Sequence, residues 1–396
     1  MQEVSRGKLG AYLRKLRDGY GYTLREIEEK SEKIGHQIDN SQLSRFEKGQ
    51  TIPSFEKLKV LAEIFNISIQ SFSDIVDLSM YDAYKPLSSD YSKLIREGEI
   101  EYNLGNFGMA YAIFERALEV VETLKDEAHR ELRIAEARMK IATALKALGR
   151  LHMCENELRW VLRNSKNLPV KMNARVLLQL AYVNREFGDF YVATILAREC
   201  LKLATSEGDT EMQAAILNTL GNIAYDEERF KEAQEHYEEA LSLLERMTDK
   251  EELKVKVMVN LGGSYISNGL FPKGFTMIDR AFKAARERGY KRTAALALTR
   301  MGEAYMSKGQ FSMARRCFRD SDMLSDRQEG KYSDILFLNS YRQWEIYRRE
   351  RNEVQEKIYF RRLKQLRTHI ERRFPEVYKF DNFIEKVGKK NENNNH

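Results

Sequence analysis

Proline and cysteine are scarce in this chain of 396 residues. It holds only five prolines, against an average usage of about 5%. Leu, Ala, Glu, Lys and Arg are abundant, so the composition favours a nearly all-helical protein. The three cysteines, Cys154, Cys200 and Cys317, lie far apart in helical apolar patterns. They are therefore predicted to be small buried side chains without a disulfide or metal role.

Long apolar runs and targeting motifs are also absent from the sequence. No stretch approaches the roughly 18 apolar residues of a membrane span, so we expect a cytoplasmic protein that does not bind membranes. The six histidines have no metal-site spacing, and there is no Walker loop, dinucleotide glycine fingerprint or nucleophile elbow. We expect no enzyme activity, no cofactor and no metal site.

The net charge of +6 is unevenly placed. The basic excess lies in residues 341–390, and the first 72 residues are nearly neutral, so bulk charge gives little support for nucleic-acid binding near the N-terminus. The basic C-terminal stretch could touch DNA, an acidic partner or solvent, and a solvated helix face is the expectation. Its most prominent members are Arg361, Arg362, Arg367, Arg372 and Arg373.

The first 78 residues carry the signals of five short helices. Leu9, Leu13 and Leu16 share one face of the first helix. The start signals of the next three are Thr23 with Glu26, Asp39, and Pro53 with Ser54, and a fifth helix is predicted from Ser68 to about Leu78. In the third helix Leu43 and Phe46 are spaced to be buried, which leaves short polar and cationic side chains on the opposite face.

The order LRKLR, GYTLREI, LSRFEKG and PSFEKLKVLAEIFNIS resembles the XRE-type helix-turn-helix family over residues 7–78. The resemblance implies that the third helix enters the major groove of double-stranded DNA. It assigns base reading to Asn40, Ser41, Gln42 and Arg45. It assigns phosphate contacts to Ser44, Lys48, Gln50, Thr51, Ser54 and Lys57.

Two further expectations accompany this resemblance. Arg17 and Glu47 occupy positions that pair in many family members, so we predict an ion pair between the first and third helices. About four extra residues between Glu32 and Asp39 lengthen the turn before the third helix, so that either the second helix continues or a loop bulges there. The bulge could bring His36 and Gln37 near the DNA backbone. The alternative to DNA binding is a five-helix bundle that contacts protein, but the base-reading side chains favour DNA.

From Tyr91 onward a motif recurs in six units, with two small positions and a turn signal. The first small position is Gly98, Ala142, Ala181, Gly221, Gly262 and Gly302. The turn position is Gly105, Gly149, Gly188, Glu228, Gly269 and Gly309, and the second small position is Ala110, Cys154, Ala193, Ala233, Gly274 and Ala314. The clearest unit, residues 218–245, resembles the tetratricopeptide repeat, with a period near 40 instead of 34 residues.

These repeats predict an all-α fold, with the five-helix helix-turn-helix domain (1–78), a linker (79–90) and a right-handed superhelical tetratricopeptide-like solenoid (91–387). We expect about seven helix pairs, a capping helix over residues 374–387 and a disordered tail over 388–396. The first helices of the pairs should line a concave face that binds a peptide. The inward positions are predicted to include Tyr102, Tyr182, Arg185, Asn218, Asn222, Tyr225, Thr299, Glu303 and Gln343. For each of them, a surface or capping role without a ligand is the alternative.

The combination of modules resembles the RRNPP (PlcR/NprR-like) peptide-pheromone receptors of quorum sensing. This resemblance implies a cytoplasmic homodimer in which a short peptide or protein ligand of the repeats controls DNA binding, with the linker transmitting the change. A DNA-binding dimer is sensitive to the separation of its two modules, because half-sites have fixed spacing. The alternatives are a protein-interaction scaffold and a phosphatase-like modulator of a partner protein.

Overall fold

The computed structural model describes residues 2–67, 69–123, 127–164, 168–247, 250–326, 332–368 and 370–393. These residues form helices and connecting turns without a strand, which confirms the all-α prediction. None of the described helices is long and apolar enough to cross a membrane. The chain divides into two compact units, residues 1–176 and 177–396.

The first unit begins with five short helices. They are α1 (Gln2–Tyr20), α2 (Leu24–Lys33), α3 (Asn40–Glu47), α4 (Phe55–Ile64) and α5 (Gln70–Leu78). The predicted start signals are confirmed, since Thr23 and Glu26 form a complete capping box and Asp39 and Ser54 cap α3 and α4. Leu13, Leu16 and Leu43 are among the residues that form the buried core of these helices.

The lengthened turn before α3 combines both predicted possibilities. Helix α2 continues to Lys33, and a loop follows in which Gly35 has a φ of +89°. Ile38 is fully buried, and its N–H donates a hydrogen bond of 2.9 Å to Ser31 Oγ. This anchor fixes the end of the loop directly before the cap of α3, while His36 and Gln37 remain exposed.

Seven helix pairs and a final single helix follow. The pairs are α6 (Tyr91–Leu104) with α7 (Phe107–Glu122), α8 (Glu127–Ala147) with α9 (Leu151–Asn164), α10 (Val170–Glu186) with α11 (Phe190–Ser206), α12 (Thr210–Asp226) with α13 (Phe230–Leu244), α14 (Glu251–Ser267) with α15 (Phe271–Glu287), α16 (Lys291–Ser307) with α17 (Phe311–Ser325), and α18 (Ser333–Arg349) with α19 (Glu353–Arg367). The last helix, α20 (Pro375–Asn393), continues past residue 388, where we predicted a disordered tail. Residues 394–396 lie outside the described part of the chain.

The repeated small residues allow the two helices of a pair to approach closely. A Cβ atom at Gly221 would lie 2.5 Å from the ring of Tyr237, and one at Gly302 would lie 2.5 Å from the ring of Phe318. All six predicted turn positions have positive φ values, from +60° at Glu228 to +86° at Gly105. The turn ends the first helix in the left-handed conformation that favours glycine.

Part of the predicted linker is packed against its neighbours in the first unit. Residues Ser79–Tyr84 form a 3-10 helix. The ring of Tyr81 occupies the space in which Gly108 of α7 lacks a side chain. Lys8 of α1 bonds Asp82 at 2.6 Å, and Lys85 bonds Glu119 of α7 at 2.7 Å. These contacts hold the predicted linker to α1 and to the first repeat.

A cluster of buried charges joins α1 to α7 and α9. Lys15 Nζ lies 3.7 Å from a Glu115 carboxylate oxygen and 3.4 Å from one of Glu157. Arg138 Nη1 donates to Glu157 at 2.7 Å, and both side chains are only 7% exposed. Burial alone would raise the pKa of Glu115, but Lys15, Lys85 and Lys8 outweigh it and lower the pKa to about 2. Electrostatic attraction thus attaches the helix-turn-helix segment to the first repeats.

We predict that Glu115→Gln lowers the free energy of unfolding by roughly 3 kcal/mol at neutral pH, because it leaves cations without their shared carboxylate. The pKa of Glu115 is lower in the folded chain than its ordinary value of 4.5. Its contribution is therefore present above that value and is lost as the pH falls towards 2. Urea denaturation should show a flatter acid dependence in the variant.

Glu29→Gln is the matched control, since Glu29 forms an exposed helical pair with Arg25. Such pairs contribute under about 1 kcal/mol. Equal stability losses in the two variants at neutral pH would contradict the assignment of Glu115 to a stabilising cluster.

Candidate functional site

The exposed face of α3 carries the predicted base-reading side chains. Asn40, Ser41 and Arg45 are exposed, and Gln42 is half-buried. Asp39 accepts hydrogen bonds from the N–H of Gln42 at 2.8 Å and from Ser41 Oγ at 2.6 Å. Arg45 Nε donates to the Ser41 carbonyl at 3.3 Å, so its guanidinium lies along the helix surface. Guanidinium and amide groups in this arrangement can bond to guanine and adenine edges.

The predicted phosphate contacts lie beside this face. Lys48, Gln50, Thr51 and Ser54 are exposed, whereas Ser44 and Lys57 are half-buried. Ser54 caps α4, whose first N–H groups offer an anion site. Lys57 has an additional function that the sequence did not show, because its Nζ donates to Gln42 Oε1 at 2.7 Å. This lysine orients a predicted base-reading amide.

The predicted pair between Arg17 and Glu47 is confirmed. Arg17 donates two hydrogen bonds to the Glu47 carboxylate, at 2.7 and 3.0 Å, and also one to the Tyr22 carbonyl at 3.1 Å. The hydrogen bond with Glu47, more than the burial that opposes it, raises the pKa of Arg17. The bidentate geometry fixes the end of α3 against α1.

The second unit contains a groove of about 640 Å³. The first helices of five successive pairs, α10, α12, α14, α16 and α18, form its walls together with residues 372–379. The size suits a small ligand or a few residues of a peptide. Acidic and basic side chains line the groove together, and many of them form ion pairs with one another.

Five of the predicted ligand-binding residues line this groove: Tyr182, Arg185, Asn222, Tyr225 and Glu303. Asn218, Thr299 and Gln343, which were also predicted to face inward, are at most 3% exposed and bond within the helix packing. Thr299 bonds to Asn339 and Ser321, and Gln343 accepts from Tyr359. Polar partners in neighbouring helices allow these side chains to be buried.

The two predicted amides on α12 bond to a third one instead of standing open. Asn260 donates to Oδ1 of Asn218 at 2.9 Å and to Oδ1 of Asn222 at 3.0 Å. Tyr237 also donates to Asn222 at 2.8 Å. Both acceptors are therefore already engaged in a side-chain network, of which Asn222 and Asn260 line the groove. Tyr102, also predicted to face inward, lies in the first unit with its ring 5.2 Å from that of Phe107.

A chain of arginine contacts crosses the groove and was not foreseen from the sequence. Arg342 donates to Glu303 at 2.9 Å and to Glu345 at 3.0 Å. Arg300 also donates to Glu303 at 2.8 Å, and its guanidinium lies 4.7 Å from the centre of the Tyr225 ring. Burial alone would raise the pKa of Glu303, but the two arginines hold it below its ordinary value. The carboxylate stays charged, so the groove can orient polar ligands.

We predicted that the basic C-terminal stretch is a solvated helix face, but several of its arginines form ion pairs. Arg362 pairs with Asp322 at 2.9 Å, and Arg367 pairs with Asp381 at 2.9 Å. Arg372 enters the groove. The partners are far away in sequence or on another helix, and local charge patterns do not reveal them.

The predicted burial of the cysteines is confirmed, since Cys154, Cys200 and Cys317 are free and buried. Burial raises the pKa of the Cys200 thiol to about 12. The described residues contain no group of three or more His, Cys, Asp or Glu side chains that could hold a metal ion.

Comparison with known families agrees with this architecture. Residues 13–72 match the helix-turn-helix family model, and residues 173–246 match the tetratricopeptide-repeat model. The chain carries a helix-turn-helix module and tetratricopeptide repeats. No curated protein matches it in sequence.

Several solved structures have a fold similar to that of this chain. A Rap protein in complex with competence and sporulation factor is 18% identical, with a TM-score of 0.58 over 91% of this chain and 98% of that one. The Rap conjugation gene regulator of plasmid pLS20, in complex with the Phr* peptide, is 13% identical, with a TM-score of 0.56 over 91% and 96%. Aspartyl phosphate phosphatase F from Bacillus subtilis is 13% identical, with a TM-score of 0.51 over 95% and 96%. The resemblance drawn from the sequence is thus confirmed at the level of modules and fold.

We predict that Glu47→Gln lowers the free energy of unfolding by about 1–3 kcal/mol, because it removes a charged hydrogen-bond acceptor from a largely buried guanidinium. Thermal denaturation measures this change. Glu56→Gln is the control, since Glu56 forms an exposed pair with Lys59 at 3.8 Å. A loss no larger than that of the control would show that the Arg17 contact does not stabilise α3.

Proposed function

We propose that the protein is a sequence-specific DNA-binding transcriptional regulator whose repeat groove binds a small peptide or protein partner that controls DNA binding. The observation that carries the DNA part is the exposed polar face of α3, capped by Asp39 and held by Arg17 and Glu47. Asn40, Ser41, Gln42 and Arg45 read bases in this proposal, and the flanking residues contact phosphates.

The groove in the second unit supports the ligand part of the proposal. It exposes hydrogen-bonding side chains on five successive first helices, as an extended peptide would require. Two proteins with a similar fold were solved with competence and sporulation factor or with the Phr* peptide bound. The candidate ligand contacts are Tyr182, Arg185, Asn222, Tyr225 and Glu303.

The control step requires a ligand that binds two arrangements of the protein unequally. In our proposal the chain acts as a cytoplasmic homodimer, whose two α3 helices must match two half-sites. The residues 79–85 contribute by attaching the helix-turn-helix segment to α7, so that a change in the first repeats moves α3 with them.

Selection from a random pool of DNA duplexes tests the DNA part. We predict an enriched motif, and we predict that Arg45→Ala weakens binding to it by about 1–3 kcal/mol with relaxed preference at one base position. Lys48→Ala should weaken binding to all sequences similarly and reduce the salt dependence by about one phosphate contact.

Lys93→Ala is the control for both variants, because it removes the same charge from an exposed position on α6. Its affinity should equal that of the unchanged protein. If no motif is enriched, the scaffold alternative is favoured, in which the N-terminal bundle contacts protein.

The ligand part has its own test. We predict that a peptide fraction from the source cells binds the full chain in calorimetry and changes its affinity for the selected DNA. Glu303→Ala should weaken that effect, because it removes the acceptor shared by Arg300 and Arg342. Glu353→Ala is the control on an exposed site of α19. Absence of any binder, together with unchanged DNA affinity, would contradict peptide control.

We do not propose catalysis. The similarity to aspartyl phosphate phosphatase F extends to the fold alone. Most of the charged groups of the groove are engaged in ion pairs, which fits a site that binds and orients a ligand.

A further inference from the structure

The segment between α19 and α20 lies against the groove. Its Arg373 backbone N–H donates a hydrogen bond of 2.6 Å to the carbonyl of Glu186, the last residue of α10. The final carbonyls of a helix have no partner within the helix. Gly188 lies two residues further on, and a Cβ atom there would lie 3.6 Å from the Arg373 carbonyl oxygen. A backbone N–H from outside the repeats thus caps a groove helix, as a bound peptide could.

The side chain of Arg372 anchors this segment. Its guanidinium donates to Asp334 of α18 and to the hydroxyl of Tyr182, and its Nε lies 3.0 Å from Glu186 Oε2. Arg372, Glu186 and Asp334 are each less than one-fifth exposed, and all three line the groove together with Tyr182. Burial alone would raise the pKa of Asp334, but Arg292 and Arg372 hold it well below its ordinary value. The cation also suits the negative end of α10.

Two further contacts extend the attachment. Glu376 pairs with Arg342, which also bonds to Glu303 on the groove floor. Lys379 lies 3.4 Å from Glu228, and because both side chains are exposed this pair adds little. The apolar anchors lie on both sides of Arg372 and Arg373, since Ile370, Phe374, Val377 and Phe380 all pack in the buried aromatic cluster around Trp344. Breaking the polar contacts of Arg372 and Arg373 therefore requires movement of residues 371–373 only, while both anchors stay packed.

We propose that residues 371–373, with the Arg372 side chain as the main contact, are an intramolecular occupant of the groove, which an outside ligand must displace. Arg372 donates to the hydroxyl of Tyr182, which is a candidate ligand contact. Glu303, another candidate contact, shares Arg342 with Glu376. A tethered segment competes at an effective concentration in the millimolar range. The apparent affinity for a ligand is then set by the difference between the binding free energies of the ligand and of the tethered segment.

Hydrogen exchange on the full chain tests the occupancy. We expect Arg372→Ala to accelerate amide exchange in residues 371–373 by about tenfold or more, the factor that corresponds to a lost charged hydrogen bond. Exchange around Trp344 should stay unchanged. Arg373→Ala is the matched control, because it removes the same charge one residue away and keeps the backbone N–H that bonds to Glu186. Unchanged exchange in Arg372→Ala, or equal acceleration throughout α20, would overturn the proposal.

A labelled peptide of residues 370–379 tests displacement by fluorescence anisotropy. Arg372→Ala should bind it with a Kd at least about tenfold lower than the unchanged chain, whose own segment fills the site. The same peptide with alanine in place of Arg372 should not bind. Equal binding to both chains, or no binding to the variant, would overturn displaceability. The use of the vacated groove by an outside regulator rests on the proposed function. If the proposed function fails, the hydrogen-exchange and anisotropy results would still stand.

Discussion

Close approach of the two helices in each repeat is the constraint on which the structure depends. Gly98, Gly221 and Gly302 leave room for the rings of Phe114, Tyr237 and Phe318 on the partner helix. The left-handed turn between the helices then directs the chain back at short range. Stacking of such pairs brings the first helices side by side, so polar residues far apart in sequence meet in one groove. The groove is thus a consequence of helix packing, and its chemistry comes from the polar side chains that are not buried between the helices.

Local signals were sufficient where the structure is determined locally. The caps of α2, α3 and α4, the pair of α1 with α3 and the turn positions of the repeats all follow from residue type at a fixed spacing. Even Glu228, which replaces glycine, adopts the positive φ that the repeat register requires. Within short segments, backbone preferences and side-chain caps act over a few residues, and the sequence contains them fully.

Prediction failed where distant helices decide the outcome. Thr299 seemed to face inward, but it finds partners in Asn339 and Ser321 on neighbouring helices and is fully buried. Arg372 belonged to a basic stretch that suggested solvent, yet its partner Tyr182 is 190 residues away. Packing of 79–85 against α7 was equally invisible, because Tyr81 fits a space that only the folded Gly108 provides. Such contacts depend on tertiary geometry, which charge and periodicity do not encode.

The distribution of charge separates the two surfaces. In the groove, most carboxylates and guanidinium groups pair with one another, so under the proposed function a ligand has to replace pairs that already exist. At α3 the situation is the opposite, since Arg45, Lys48 and the N–H groups of α4 face outward on a nearly neutral module. Few cations mean weak non-specific attraction to phosphate. Under the proposed function, DNA recognition at this surface depends on the fit to base edges, and so on the positioning of α3 by Arg17, Glu47 and the buried Ile38.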